Sequence, residues 1–504
     1  MLRTNCKFAA ITGALIALAL AYQTAGAALS NALVNGSFAQ RELDESLSGW
    51  TPSPRGFQVA TRTEDGQALA TITCDNPAAP CGLTQTVAIR PEWSKLLVRG
   101  YVRVNQMHKA SDAPADAAAR VDLSWNTKAA GRRTPAATQR WTDPTNGWVE
   151  VNQLLDVPTG KDQLIVTIEI FGAKGSVDAR AFSVTGWVMT FDDEFDGTAI
   201  DTTRWTPTDG DHIVFSPGIQ YFNPDHVIVA HGLARFHADN TPHGAYQFQS
   251  GEIRSADKFQ QLYGFWEFRL KLPTTEGTWP AVYLLRWDDA WPPEIDLCES
   301  TGRDMKTVYE TNHFADDYGR HGASSVNFPQ GDLDRSQWHT YAICWEPGAL
   351  AWYLDGVYKG TTRPPEGRIS EVPMYIRFNL AVSGWGGDPS KTPWPTDMEC
   401  DFARVYQRAD LPLPVYAEPS QEVTLPNSTV QLNAISCNPM KGFAATWTLA
   451  EGPASATIQA PHALITKARF AKPGMYRFTL TVTKGVSTAS RDVLVYVNPS
   501  LGHS

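Results

Sequence analysis

The sequence has no excess of basic charge, no metal-type cysteine spacing and, beyond its N-terminus, no long apolar run. Its 504 residues carry 43 Lys and Arg against 53 Asp and Glu, a formal net charge of −10. That balance argues against nucleic acid or an anionic membrane as a partner. No pairing of Cys with His at zinc spacing is present, and no later segment is apolar enough to span a bilayer.

Helical periodicity is also missing after the N-terminus. Short runs of alternating apolar and polar residues, separated by Gly, Pro, Asn and Asp, predict an all-β chain. The chain is too long for one hydrophobic core, so several domains are expected. The predicted units are a signal peptide over 1–27, a β-sandwich over 28–187, a central domain over 188–408, a linker over 409–416 and a last domain over 417–504.

The N-terminus has the pattern of an export signal. Arg3 and Lys7 precede an apolar run from Phe8 to Ala21, and the small residues 25–27 suit a signal peptidase. We therefore expect a soluble mature protein that starts at Ala28 and is secreted, either to the periplasm or to the medium. Export also permits disulfide bonds.

Seven cysteines are present, and Cys6 leaves with the predicted signal. Cys74 and Cys81 flank a turn-rich loop that can bring them together, so we predict a disulfide between them. Three others lie in predicted strands and are expected to be buried thiols: Cys298, Cys344 and Cys400.

The most informative segment is Glu294-Ile295-Asp296-Leu297-Cys298-Glu299. In a strand, Glu294 and Asp296 share one face. Glu299 follows at an odd offset and returns to that face only if one residue, Leu297 or Cys298, forms a β-bulge. Three like charges on one face are unfavourable unless they act on something, and paired carboxylates are what glycoside hydrolysis requires.

The acidic motif is surrounded by further motifs that follow one another in a characteristic order. They run from Ser250-Gly251-Glu252-Ile253-Arg254 through Trp279-Pro280-Ala281 to Asn379-Leu380-Ala381 and the segment 398–407. Together with the acidic motif, this set resembles glycoside hydrolase family 16 over about residues 188–408. The resemblance implies a jelly-roll catalytic domain with Glu294 as nucleophile, Glu299 as general acid and base, and Asp296 orienting Glu294 in a retaining mechanism.

Several further residues are candidates for sugar binding. The chain has 17 Trp, ten of them between Trp205 and Trp394, and indole faces stack on sugar rings. The candidate contacts are Trp279, Trp291, Trp385, His313, Arg254 and Asn379. In one departure from the family pattern, His226 stands where an Asn is usual.

No cofactor is expected for catalysis, but the resemblance implies a structural calcium. Glu194 and Asp401 occupy the positions of its family ligands, and calcium prefers oxygen ligands.

The flanking segments carry weaker patterns. Residues 28–187 resemble jelly-roll carbohydrate-binding modules, with Trp125, Trp141 and Trp148 as candidate sugar platforms; a purely structural β-sandwich is the alternative. Residues 417–504 resemble Ig-like domains of the polycystic-kidney-disease type, in which Trp447 and Tyr476 would be core.

The leading hypothesis is an endo-acting β-glucanase, a monomer whose partner is a polysaccharide with β-1,3 or mixed β-1,3/1,4 linkages. An agarase, carrageenase or exopolysaccharide glycanase of the same family is one alternative. A noncatalytic polysaccharide-binding lectin on the same fold is another, because fold alone does not establish activity.

Overall fold

In the computed structural model, every regular element longer than a 3₁₀ turn is a β-strand, which confirms the all-β prediction for the described residues. The structure describes residues 31–500 except 43–45, 54–56, 79–80, 129–132, 211–218, 305–306, 317–318, 326–327, 330–332, 364–367, 383, 411–414, 418–420, 437–443 and 485–486. The predicted signal peptide and Cys437 therefore lie outside the described residues, as does half of the predicted linker. Within the described part, no helix has the length and apolarity needed to cross a membrane.

The N-terminal unit is a two-sheet sandwich around its own core. Its strands are β1 Thr51–Pro52, β2 Phe57–Glu64, β3 Gln67–Cys74, β4 Cys81–Ala88, β5 Lys95–His108, β6 Ala118–Asn126, β7 Thr134–Trp141, β8 Val149–Asp156, β9 Gln163–Phe171 and β10 Lys174–Asp193. One sheet has the order β1-β4-β9-β6-β7, and the other contains β8-β5-β10-β3-β2. The predicted Cys74–Cys81 disulfide joins β3 to β4.

The central unit is a second sandwich with a separate core. Its strands are β11 Thr206–Pro207, β12 Gln220–Phe222, β13 Val227–Ala230, β14 Leu233–Ala238, β15 Phe248–Ser250, β16 Glu252–Arg254, β17 Gly264–Lys271, β18 Thr278–Arg286, β19 Glu294–Glu299, β20 Thr307–Ala315, β21 His321–Ser325, β22 Phe328–Pro329, β23 His339–Glu346, β24 Ala349–Leu354, β25 Val357–Thr362, β26 Met374–Val382 and β27 Thr396–Arg408. Its inner sheet has the order β11-β16-β26-β18-β19-β20-β21 and carries the acidic motif on β19.

The outer sheet of the central unit is continuous with the N-terminal sandwich. Twelve strands form one sheet, in the order β13-β14-β27-β17-β23-β24-β25-β8-β5-β10-β3-β2. Strand β10 pairs with β3 and β5, and near its end with β27. The predicted boundary between residues 187 and 188 falls inside this strand and stays a prediction.

Side chains at this junction form a small core of their own. Trp187, Phe265 and Tyr353 are fully buried there beside Leu97. The Lys95 ammonium lies 3.1 Å from the buried Glu267 carboxylate. The two units are thus joined by strand pairing, apolar packing and ion pairs rather than by a flexible connection.

The C-terminal unit packs two four-stranded sheets around a third core. Its strands are β28 Val415–Ala417, β29 Gln421–Thr424, β30 Thr429–Ser436, β31 Ala444–Glu451, β32 Ala456–Ile458, β33 Ile465–Phe470, β34 Gly474–Lys484 and β35 Ser487–Asn498. Trp447 and Tyr476 are buried in it, as predicted.

Candidate active site

A β-bulge places the three acids of β19 on one face. Against β18, Glu299 pairs with Ala281 and Cys298 with Val282, whereas Asp296 pairs with Tyr283, so that Leu297 has no partner. The bulge therefore lies at Leu297, one of the two positions predicted from the sequence. Ile295, Leu297 and Cys298 point into the core and are fully buried, while the carboxyl groups face the other way.

The acids line a cavity of about 670 Å³ on the inner sheet. All nine residues predicted for catalysis and sugar contact line it: Arg254, Trp279, Trp291, Glu294, Asp296, Glu299, His313, Asn379 and Trp385. They come from five strands, β16, β18, β19, β20 and β26, and from the segments just before β19 and just after β26. The register of β16, β26, β18, β19 and β20 aligns their inward-facing side chains across the sheet.

Each of the two outer carboxylates accepts a hydrogen bond from an indole N–H group. Trp279 donates from Nε1 to Glu299 Oε1 at 3.0 Å. Trp291 donates from Nε1 to Glu294 Oε2 at 2.7 Å. Trp385 packs edge-on against Trp279, with ring centres 5.6 Å apart. The cavity thus has an aromatic wall beside each acid, suited to the faces of sugar rings.

The middle acid, Asp296, is nearly fully buried and faces His313. The His313 Nε2 atom lies 3.0 Å from Asp296 Oδ2. On its other side, His313 Nδ1 lies within hydrogen-bond distance of His321 Nε2, at 2.8 Å. The Trp291 ring covers His321 with a centre separation of 4.6 Å. His313 is therefore held between a carboxylate and a second imidazole.

Burial and mutual repulsion favour the neutral forms of the acids. Burial, followed by the charges of Asp296 and Glu294, raises the pKa of Glu299 well above its usual range. Burial also raises the pKa of Glu294, but the Trp291 hydrogen bond and the charges of His313 and Arg377 oppose the rise. A protonated Glu299 beside a more readily ionised Glu294 is the division of roles that acid and nucleophile need.

The sequence reasoning missed several cavity residues. Arg377 and Glu252 form a buried ion pair at 2.7 Å on the cavity floor, and Tyr283 lies beside them. Arg377 precedes the predicted Asn379 by two residues, and Glu252 precedes Arg254 by two, so strand alternation could have found both. His321 carried no such signal, because its position depends on the β20–β21 hairpin register.

The residues predicted to hold calcium have cationic partners. The Glu194 carboxylate pairs with the Arg404 guanidinium at 2.6 Å, and Asp401 pairs with Arg269. The described side chains therefore do not favour a calcium ion at these carboxylates. His226 does not line the cavity; its Nε2 lies 3.2 Å from Asp239.

The N-terminal tryptophans do not form an exposed platform. Trp125 was predicted as a candidate platform and is instead buried in the core of the sandwich. Trp141 packs against the same core. Trp148 is partly exposed, but the Arg180 and Arg103 guanidinium groups lie over its ring at 4.0 and 4.6 Å.

A β-sheet whose cavity holds paired carboxylates beside aromatic side chains has the features of a glycoside hydrolase active site. Residues 220–404 match the model of glycosyl hydrolases family 16, and this part of the chain is a domain of that family. Residues 417–497 match a PKD-domain model, so the Ig-like prediction for the last unit is also confirmed.

Individual relatives agree with the family match. The glucan endo-1,3-beta-glucosidase A1 of Niallia circulans is 30% identical over 263 residues, covering 45% of this chain and 38% of that protein. The endo-1,3-1,4-beta-glycanase ExsH of Rhizobium meliloti (strain 1021) is 33% identical over 162 residues, covering 32% of this chain and 34% of that protein. The chain therefore spans little more than a third of the length of these two relatives.

A solved structure is also similar to part of the chain. The catalytic domain of an endo-1,3-beta-glucanase (laminarinase) from Thermotoga petrophila RKU-1 is 28% identical, with a TM-score of 0.41, covering 45% of this chain and 99% of that chain.

Proposed function

We propose that this protein is a retaining endo-β-glucanase that hydrolyses β-1,3 or mixed β-1,3/1,4 glucan. The observation that carries the proposal is the bulge at Leu297, which brings Glu294 and Glu299 onto one face of a single cavity. The names of the two curated relatives, a glucan endo-1,3-glucosidase and an endo-1,3-1,4-glycanase, support the substrate class.

In the first step, a Glu294 carboxylate oxygen attacks the anomeric carbon of the bound sugar. The glycosidic C–O bond breaks, and Glu299 gives its proton to the leaving oxygen, so that a glycosyl ester of Glu294 forms. In the second step, Glu299, now ionised, takes a proton from water. The water oxygen attacks the anomeric carbon, the ester bond breaks and Glu294 is released. Asp296 lies between the two acids and is hydrogen-bonded to Glu299, and its proposed role is to orient Glu294.

Charge in the cavity favours a neutral polysaccharide. Five carboxyl groups line it, those of Glu252, Asp289, Glu294, Asp296 and Glu299. Among the described lining residues the arginines are Arg254 and Arg377, and Arg377 is already paired with Glu252. Sulfate groups of a carrageenan would therefore find no basic cluster among these lining residues to bind them.

The direct test is reducing-end release by the mature protein on laminarin, lichenan, agarose and κ-carrageenan, with Glu294→Gln as the matched control. Release from laminarin or lichenan that the variant abolishes supports the glucanase. Release only from a galactan would overturn the substrate class. Sugar release by Glu294→Gln at the wild-type rate would refute the nucleophile. If no substrate is cut but the variant and the wild type both bind glucan, the lectin alternative holds.

We further propose that the chain is exported, and the family resemblance proposes a calcium ion near Glu194 and Asp401. The support for export is the residue pattern of 1–27 and the Cys74–Cys81 disulfide. For calcium, chelation should lower the melting temperature of the mature protein. An unchanged melting temperature would contradict the ion, in agreement with the arginine partners of both carboxylates.

A further inference from the structure

Three potential metal ligands converge at the bottom of the cavity. Glu294, Asp296 and His313 each offer one oxygen or nitrogen atom, and the three atoms lie within 4.8 Å of one another. Ligand atoms around a tetrahedral zinc ion at ordinary bond lengths of about 2.0–2.2 Å are roughly 3.3–3.6 Å apart. Small torsional changes of these side chains are enough to reach that spacing.

The buried side chains of Asp296 and His313 are placed so that both can bind the same ion. The Asp296 side chain is only 2% exposed, and its Oδ2 atom has no hydrogen-bond partner among the described residues. His313 Nε2 lies 3.0 Å from that oxygen without making a hydrogen bond to it. The lone pairs of both atoms can therefore point at a third atom placed between them.

The groups around these three side chains also suit a bound metal ion. Metal-bound imidazoles generally use their second nitrogen to donate a hydrogen bond, and His313 Nδ1 has His321 Nε2 at 2.8 Å for this purpose. Trp291 donates to Oε2 of Glu294, and a carboxylate has two oxygens with which to bind a donor and an ion. The open cavity supplies room for a water molecule as the fourth ligand.

We propose that Glu294, Asp296 and His313 form an inhibitory site for a divalent transition-metal ion of the zinc type. Two carboxylates and one imidazole suit zinc and its first-row neighbours, whereas calcium and magnesium prefer oxygen ligands alone. An ion on Glu294 engages the nucleophile and blocks the anomeric carbon. Metal and polysaccharide then exclude each other. The binding itself follows from the geometry alone, and only its inhibitory effect rests on the proposed function.

The test measures binding and inhibition separately on the mature protein after metal removal. Zinc affinity is measured by calorimetry, and cobalt serves as a spectroscopic substitute whose visible absorption reports the ligand set. We expect His313→Gln to weaken zinc binding at least about 10-fold, and His321→Asn to weaken it about 10- to 100-fold through loss of the supporting hydrogen bond. Circular dichroism of each variant shows that it is folded.

The matched control is His237→Gln. His237 also faces two aspartates, with Nδ1 2.7 Å from Asp397 and Nε2 3.8 Å from Asp239, but it lies outside the cavity. Its variant should bind zinc as the wild type does. Unchanged zinc affinity in His313→Gln, or an equal loss in His237→Gln, would overturn the site.

In the inhibition arm, zinc should raise the apparent KM for laminarin without changing kcat. Inhibition that lowers kcat alone would contradict a block at Glu294. If the protein cuts no glucan at all, the proposed function fails, while the cobalt spectrum and zinc affinity still decide whether the metal site exists.

Discussion

Two indole N–H groups act separately on the two carboxyls proposed for catalysis. Trp291 donates to Glu294, and Trp279 donates to Glu299. Each bond favours the ionised form of its acceptor and so lowers the pKa of that carboxyl. A hydrogen bond to a charged group contributes about 1.5–3 kcal/mol, and about 1.4 kcal/mol corresponds to one pKa unit. The two tryptophans are therefore a matched pair for substitution.

Trp291→Phe should move the acidic limb of the pH profile of kcat/KM to higher pH. Loss of the hydrogen bond raises the pKa of Glu294, so that a higher pH is needed to ionise the nucleophile. The measurement is kcat/KM on laminarin across pH. An acidic limb that stays in place would contradict the assignment of Glu294 to that limb.

Trp279→Phe is the matching variant for the other acid. It should leave the acidic limb in place and move the alkaline limb upward, because Glu299 then holds its proton to higher pH. If both variants shifted the same limb, the division of roles between Glu294 and Glu299 would be wrong.

At the residue scale, strand alternation and the family pattern identified nine cavity residues by number. What they missed depends on tertiary contacts. The Arg377–Glu252 ion pair joins strands β26 and β16, and the pairing of these two strands cannot be read from their local sequences. The burial of Trp125 shows the converse, because an isolated Trp in a strand has the same pattern whether it faces solvent or the core.

At the scale of elements, strand β20 carries an acid that the mechanism does not use. Glu310 is 1% exposed, and neither carboxyl oxygen has a hydrogen-bond partner among the described residues. Burial raises its pKa well above the usual range, with only Lys359 opposing. The folded protein therefore keeps Glu310 neutral at a pH where the unfolded chain ionises it.

Because folding raises the pKa of Glu310, the folded protein becomes less stable as the pH rises. From the unfolded pKa upward to the folded pKa, the unfolded state loses its proton first, and the free energy of unfolding falls by about 1.4 kcal/mol for each unit between the two. Glu310→Gln removes this contribution. Urea unfolding should show a gain in stability over the wild type that is larger at pH 8 than at pH 4.

The control for that measurement is Glu371→Gln, at an exposed position. It should show no comparable change with pH. A constant stability difference between Glu310→Gln and the wild type from pH 4 to pH 8 would show that Glu310 is ionised in the folded protein.

The elements themselves were predictable to different degrees. The bulge followed from the spacing of Glu299. Successive side chains of a strand point to opposite faces, so an acid five residues after Glu294 reaches the same face only through an extra residue. The continuous twelve-stranded sheet could not be predicted in this way, since nothing in the pattern of β10 indicates that its two ends pair in different sandwiches. Strand partners come from tertiary packing rather than from local propensity.

At the scale of the whole molecule, ion pairs hold the N-terminal and central units together. Glu346 contacts Arg99 from the N-terminal unit, and its Oε1 lies 2.6 Å from Arg408. All three groups are largely buried. Replacing Glu346 leaves Arg99 without this carboxylate, whereas Arg408 keeps its ion pair with Asp410 at 2.8 Å, so the expected cost lies below the about 3–5 kcal/mol of a fully buried, unpaired charge.

Glu346→Gln should therefore lower the unfolding temperature of both units together in scanning calorimetry. The control is Glu451→Gln, which breaks the exposed pair with Arg477 in the C-terminal unit and should have little effect. Separate transitions for the N-terminal and central units in the wild type would contradict a single cooperative body.

The central claim is that the cavity performs double displacement on Glu294. Proton NMR during the first minutes of laminarin hydrolysis tests it most directly, because it records the anomer released before mutarotation. A retaining enzyme gives the β-anomer first, and that is the predicted result. Initial release of the α-anomer would contradict the covalent role of Glu294 and with it the account of the site.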